Sequence, residues 1–483
     1  MKDIRKRGKM SRETSLAKNT AIISIGTILP KVSWLITLPI ITAKLTQAEY
    51  GTYDVISTLS SLFLPIATLQ LQSAAFRFLV DCKEDFEKRD SIITNVIAFV
   101  TGTSIAALII LYFILYKLPN TVRILTCIYF FADILFAANI RIVRGLGRPM
   151  LYSLASAVQP IANMILVVFF VFFMNNGLEG ALIAITVSTI LSLSIILVRA
   201  HIISRFRLSL FSVNVLRELI AYSWPMVPNQ LSSWFLNFSD RLILLQFIGI
   251  NATAVYGVAN KIPSLLTLMN SAFTMAWQEN ASINSKDEDV TVYYSSMFNT
   301  TLRILSGIMA LLIAAVPLLF KFLIRGDYMD AYKQMPILLM AMLFAAISSF
   351  LGGIYIAHKK TKSVGVTTII AAIINLLIDV LLVKEIGIYA ASLSTLLAYV
   401  FLVIYRMKNV LNFQKINYNY VQIIKYICFL SVMCVFLWLN QLGLNILNVV
   451  LGIIFATSIN YSLISSLINI IYNKIKNRFN IIL

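Results

Sequence analysis

The sequence predicts an all-α polytopic membrane protein of about 14 transmembrane helices, organised as two pseudo-symmetric six-helix lobes plus two extra C-terminal helices. Three observations predict it. Of the 483 residues, 59% are hydrophobic and only 13% are charged. A soluble domain carries about 25% charged residues, so this chain cannot clothe a water-facing surface. The apolar residues also fall in runs of the ~20 residues that a helix needs to cross a bilayer. Finally, basic residues recur between the runs with a strong bias to one side, the pattern of loops held in the cytoplasm.

The elements follow in order. Met1 to Lys18 is polar and basic, and the apolar run behind it is too long for a cleaved signal segment, so the N-terminus is expected to be retained and cytoplasmic. Spans are expected at 19–44, 52–76, 92–116, 120–140, 151–174 and 178–199, giving an N-terminal lobe over residues 1–205. In 206–221, Val213, Leu216, Leu219 and Ile220 recur at helical spacing, with Arg217 and Glu218 on the other side. That stretch reads either as a helix lying in the cytoplasmic interface or as a plain linker. Spans at 222–248, 254–277, 298–323, 334–356, 364–383 and 387–405 form a C-terminal lobe over 222–410. Residues 411–483 hold the last two, at 424–440 and 444–471, and a tail.

An even number of spans puts both termini on one side. Of the 40 Lys and Arg, the opposite side holds only Lys44, Lys117, Arg123, Lys321, Arg325, Lys333 and Lys384. The terminal side holds clusters such as Arg141, Arg144 and Arg148, or Lys359, Lys360 and Lys362. The bias makes the terminal side cytoplasmic. External loops are too short to contain a catalytic domain. The net charge of +19 is spread over these loops, so a nucleic-acid groove is not expected.

The chain repeats itself. Tyr50-Gly51 recurs as Tyr256-Gly257, and Asp54 falls on Asn260, at an offset of 206 residues. Arg148 and Asn163 fall on Lys360 and Asn375, and Gly177 falls on Gly387, at offsets of 212 and 210. Six spans per unit is an even number, so the two units share an orientation, as in transporters built from parallel repeats.

Four bases lie inside spans: Lys31, Arg241, Lys261 and Arg303. A charge at mid-membrane costs roughly 2.5–3.5 kcal/mol on insertion scales and so marks a partner, a wet cavity or a function. Lys31 is near the bilayer centre, follows Pro30, and has either a cavity role or a carboxylate partner such as Asp133. Arg303 is nearer the cytoplasm, where it can line the cavity or snorkel. Asp240 and Lys261 are at equal depth on consecutive helices and are expected to form a structural ion pair. Arg241, adjacent to Asp240, cannot share its face and is left between a cavity role and an outward one. Asp133 is the deepest carboxylate and the candidate for coupling to an ion. Asp54 and Asp379 lie near outer helix ends, where a charge is cheap. Trp34 and Trp234 are candidates to stack on sugar faces, against the commoner role of packing or marking the interface.

The four cysteines show no paired or ligand spacing, and His201 and His358 fall in basic loops. No catalytic residue, no metal site and no cofactor is expected. A coupling ion, H+ or Na+, is left open.

Residues Ser223 to Gly257, SWPMVPNQLSSWFLNFSDRLILLQFIGINATAVYG, resemble the seventh-span region of bacterial O-antigen and capsule repeat-unit flippases of the Wzx type. These belong to the multidrug/oligosaccharidyl-lipid/polysaccharide exporter superfamily. Pro30-Lys31, the Glu49-Tyr50-Gly51 turn, Arg77-Phe78 and the basic loop Ala357 to Lys362 resemble that family too. The resemblance covers nearly the whole chain, through loose motifs. It implies two lobes around a cavity and a polyprenyl-diphosphate-linked oligosaccharide crossing the bacterial inner membrane by alternating access, for O-antigen, capsule or exopolysaccharide synthesis. It also implies membrane lipids, a polysaccharide polymerase and a chain-length regulator as partners. Lys31 and Arg303 are then the expected contacts to the diphosphate-sugar head, with Arg241, Trp34 and Trp234 as further cavity residues. The rival readings are a cation-coupled multidrug exporter, a peptidoglycan lipid-precursor flippase and, from another class, a membrane glycosyltransferase or polymerase.

Overall fold

The computed structural model describes residues 33–82 and 84–466. All regular structure among them is helical. The chain divides into two compact units. Unit 1 runs to Trp234 and includes Leu323–Gly326; unit 2 comprises Phe235–Phe322 and the chain from Asp327 onward.

Unit 1 opens with a helical segment over 33–44 (α1). It continues with α2 (Gln47–Thr68), α3 (Leu71–Asp81), α4 (Phe86–Ile114), α5 (Asn120–Gly145), α6 (Pro149–Val167), α7 (Gly177–Arg199), α8 (Ile202–Arg205) and α9 (Val213–Ser223). A π-helical turn, Val168–Phe173, extends α6. The start of α2 is a capping box: Thr46 Oγ1 accepts from the Glu49 amide, and Glu49 Oε2 accepts from the Thr46 amide at 2.8 Å. Two orphan donors are satisfied reciprocally. Glu49 Oε1 also receives the Leu178 amide at 3.4 Å. It thereby ties α2 to the start of α7 at Gly177, where φ is +48° and a Cβ would come within 2.5 Å of that oxygen. α5 packs against α3, α4 and α7. Ala74 and Ala75 of α3 and Ala138 of α5 are fully buried beside Ile93, Val96 and Ile142, their small side chains allowing close approach.

The second span expected from sequence is not straight. α2 and α3 meet at 54° across Leu69 and Gln70, both left-handed at φ 45° and 60°. Two consecutive non-glycine residues in this region cost roughly 1–2 kcal/mol each. Side chains take up the backbone groups that the break releases. The Gln70 amide donates to Thr68 Oγ1 at 3.2 Å, and Ala67 O accepts from Thr103 Oγ1 of α4 at 2.6 Å. α9 covers α3 and α4 through buried Leu219, with Tyr222 edge-on to Phe78 at 5.7 Å.

The division between units falls inside α10 (Met226–Phe247). Unit 2 continues with α11 (Ile250–Ala259), α12 (Ser264–Ile283), α13 (Val290–Leu323), α14 (Met329–Ala357), α15 (Thr361–Ile386), α16 (Ile388–Val410), α17 (Tyr420–Leu439) and α18 (Leu442–Ile459). α14 is its axis. It packs against α11, α12, α16 and α17, and 78% of its most apolar window is buried. α15 lies against α16, joined by Gly387 at φ +61°. The repeat mates Gly177 and Gly387 thus share a left-handed backbone at a helix start.

Among the described residues, ten helices are long and apolar enough to span a membrane, or eleven if α2 and α3 count as one. The expected count of about 14 is not reproduced. The first expected span begins outside the described residues. The seventh is α10, which carries Asn229, Gln230, Asp240 and Arg241. The eighth is broken at 260–263, next to Pro263, into α11 and α12.

Candidate ion and transport site

Unit 2 contains a polar centre in the middle of its helix packing. Asp240 of α10 is 1% exposed. Its Oδ2 accepts from the Tyr256 hydroxyl of α11 and from Thr395 Oγ1 of α16 at 2.8 Å. Asn375 of α15 completes the group. With its amide nitrogen turned toward α10 it donates to Asp240 Oδ1 at 3.1 Å, while its oxygen accepts from Thr395 N and Ser394 Oγ. One helical turn on, Asp379 is fully buried and faces Asp240. Neither oxygen of Asp379 receives a hydrogen bond from a donor among the described residues. Tyr399 extends the cluster along α16, its hydroxyl donating to Asn237 Oδ1 at 2.7 Å. Arg241 lies alongside, its guanidinium over the rings of Phe238 (5.3 Å) and Tyr256 (5.9 Å).

The chemistry follows from the charges. Two carboxylates in contact in a low-dielectric interior repel strongly, and one adjacent guanidinium offsets one of them. The remaining charge calls for a shared proton or a small cation. The oxygens here are two carboxylates, a carboxamide, the Thr395 hydroxyl and the Ala391 carbonyl, which the Tyr256 hydroxyl approaches at 3.5 Å. An all-oxygen set suits a hard cation. Among the described residues no three His, Cys, Asp or Glu side chains converge.

This centre corrects the sequence reading at two points. Asp240 is not paired with Lys261: its carboxylate is held by Tyr256, Thr395 and Asn375, and Lys261 sits half-buried in the turn between α11 and α12. Asp379 is not a cheap charge at an outer helix end, because α15 runs on to Ile386 and the side chain points into the packing. Sequence reasoning also passed over Tyr256, read only as a repeat mark, and Thr395. The usable signal was Asn375 and Asp379, four apart on one face of an otherwise apolar helix.

The other expected site residues are scattered. Lys31 lies outside the described residues. Trp34 is half-buried in α1. Trp234 is 4% exposed, and its indole N–H donates to Ser61 Oγ at 2.8 Å. Asp133 accepts from Ser60 Oγ at 2.6 Å, linking α5 to α2 within unit 1. Arg303 of α13 is half-buried. Its Nη2 donates to Thr300 Oγ1 at 3.2 Å and its Nε is buried without an acceptor, while Asn460, beyond α18, holds its carbonyl. It is not part of the Asp240 cluster.

The membrane-length helices among the described residues define a multi-pass, helical membrane protein with an ionisable centre buried in its helix packing. Comparison with known proteins narrows the class. The family described as polysaccharide biosynthesis protein matches residues 16–278, more than half of the chain, and the protein belongs to that family. Its fold is similar to that of the lipid II flippase MurJ in an inward closed conformation, with a TM-score of 0.72 and 17% identity over 93% of this chain and 100% of that one. It is also similar to an inward-facing multidrug resistance MATE family transporter of the MOP superfamily, at 0.65 and 14% over 80% and 98%. An uncharacterized membrane protein of Methanocaldococcus jannaschii is 25% identical over 229 residues, 44% of each chain. The match therefore spans less than half of that relative's length.

Proposed function

We propose that the protein is a flippase that carries a polyprenyl-diphosphate-linked oligosaccharide across the bacterial cytoplasmic membrane by alternating access, with both termini in the cytoplasm. The observation that carries the reading is membership of a polysaccharide-biosynthesis family in a chain whose fold resembles a lipid II flippase over 93% of its length. A diphosphate head cannot enter hydrocarbon unaided, and fixed cations in a wet cavity would replace its water and counterions. Lys31 and Arg303 are assigned that role, with Arg241, Trp34 and Trp234 as further cavity residues and Asp133 as a second coupling carboxylate. The Asp240–Asp379 centre couples the cycle to H+ or Na+. A polymerase and a chain-length regulator would receive the exported unit.

The test is export of surface glycan in cells lacking the gene, complemented at matched protein level by wild type, Arg303→Gln and Lys31→Gln. Loss of export in both variants supports the assignment; full export in both sinks it. Failure of the wild-type protein to move a polyprenyl-diphosphate oligosaccharide in liposomes would sink the function itself. The buried acids and the MATE-like fold favour one second reading, a cation-coupled drug exporter. Transport of cationic dyes at the expense of an ion gradient, without glycan export, would select it. Restored growth of cells depleted of their lipid II flippase would select a peptidoglycan precursor.

A further inference from the structure

A second charged cluster, in unit 1, has no part in this cycle. It lies where the starts of α4 and α6 meet the end of α7 and the short α8. Arg205 of α8 donates to Asp90 at 3.1 Å, and both side chains are less than one-fifth exposed. Arg205 Nε also donates to Ala200 O at 3.3 Å. Among the described residues, Asp90 is the carboxylate that an arginine engages there, while Asp85 and Glu87 point to the exposed side of the same helix start. Its neighbour Arg89 stacks on the ring of Phe86 at 4.6 Å, and the Arg89 Nε is buried with no acceptor. Arg148, capping α6, spends one nitrogen on Arg199 O at 2.7 Å. Arg205 and Arg148 are both near enough to act on the charge of Arg89. Three guanidiniums are therefore gathered near Asp90, and Arg205 engages that carboxylate.

The frame is built, not frayed. Arg207 N donates to Thr94 Oγ1, Ser91 Oγ donates to Leu210 O and Ser212 N donates to Asn95 Oδ1, strapping the 205–212 segment to α4. Around the arginines the exposed side chains mix apolar Phe86, Met150, Val198, Ile203 and Leu208 with charged Asp85, Glu87, Lys88, Arg199 and Arg207. Apolar side chains interleaved with guanidiniums and other charged groups match the mixed composition of a surface at headgroup level. A guanidinium fork matches two phosphate oxygens. Basic pockets between helices on the cytoplasmic side suit anionic headgroups.

We propose that this surface binds the phosphodiester headgroup of an anionic phospholipid in the cytoplasmic leaflet. Arg89 and Arg148 supply the contacts. Arg205 keeps Asp90 from neutralising them. The bound lipid would pin the α8 segment to the membrane surface.

Native mass spectrometry of the full-length protein, titrated with phosphatidylglycerol, phosphatidylcholine or glycerol 3-phosphate, tests this. Phosphatidylglycerol is expected to bind more tightly than phosphatidylcholine. Arg89→Gln and Arg148→Gln should each lower its affinity about fivefold without changing that of phosphatidylcholine. Asp90→Asn, which removes the carboxylate that Arg205 engages, should not weaken it. Melting temperatures verify that each variant is folded. The proposal is overturned by equal affinity for the two lipids or by unchanged phosphatidylglycerol binding in the Arg89→Gln/Arg148→Gln double variant. Competition by glycerol 3-phosphate as strong as by the lipid would also overturn it, since the site would then take soluble phosphate.

Discussion

Asp379→Asn separates an ion site from a structural carboxylate, because the two predict opposite signs. Asp379 is fully buried, faces Asp240, and accepts no hydrogen bond from a donor among the described residues. An asparagine of the same shape removes one of two repelling charges and can donate to Asp240. A hydrogen bond to a charged acceptor contributes about 1.5–3 kcal/mol. In Na+-free alkaline buffer, where neither proton nor cation is supplied, the variant should be more stable than wild type by about that amount. Adding Na+ or lowering the pH should stabilise wild type and close the gap. A cation at 100 times its dissociation constant contributes about 2.7 kcal/mol. The variant should respond to neither, and its glycan export should fall although its fold is intact. The assay is thermal unfolding in detergent, in NaCl against choline chloride across pH, beside export measured in cells. A variant less stable than wild type in Na+-free alkaline buffer, or one that keeps the wild-type response to Na+ and to pH, refutes the reasoning.

Three further outcomes follow from local geometry. Gly177→Ala places a Cβ at 2.5 Å from Glu49 Oε1 in a left-handed backbone, so a loss of about 1–2 kcal/mol should appear as a lowered melting temperature. Arg406 is 4% exposed and donates to Ser348, Val364, Thr367 and Thr368 across α14 and α15. Arg406→Lys keeps the charge but loses the planar fork, and should destabilise by about 3 kcal/mol or more in the same melt. Burial, with Lys360 adding to it, lowers the pKa of His358, at the end of α14, below its usual 6.5. Its neutral form is favoured in the fold, so this contribution to stability is present above pH 6.5 and lost as the pH falls through the lower folded value. His358→Gln should flatten that part of a stability-against-pH curve.

The sequence disclosed the scaffold because bilayer spans are written in apolar length and loop charge. The Gly177–Gly387 correspondence was legible for a similar reason, since a repeat is written in a fixed offset. The bend at Leu69–Gln70 was not legible. Neither residue favours a left-handed backbone, and Pro65 lies a full turn earlier, inside α2. The Asp240–Lys261 pairing failed because equal depth fixes only one coordinate. Rotation about each helix axis decides which side chains face each other, and the break at 260–263 takes Lys261 out of the phase of α11. Asp379 was undervalued because the end of span 11 was set three residues short of Ile386, which left it looking shallow.

Burial alone was therefore the wrong criterion for a functional charge in this chain, and hydrogen-bond satisfaction is the better one. Unit 2 buries Arg406 and Asp379 almost equally. Arg406 has donors engaged on all three guanidinium nitrogens by neutral oxygens on two neighbouring helices. A buried charge so completed has no capacity left for a ligand, and its removal strands its partners. It fastens α16 to α14 and α15. Asp379 has no donor among the described residues and faces a second carboxylate that three groups already hold in place. On the proposed ion-coupled reading, an arrangement that fixes one acid and leaves its neighbour to be completed by a mobile charge would have two states, loaded and unloaded. Unit 2 can respond to an ion only at a position whose hydrogen bonding the protein does not itself complete. Arg303, with a buried Nε lacking an acceptor, meets the same criterion for an anion.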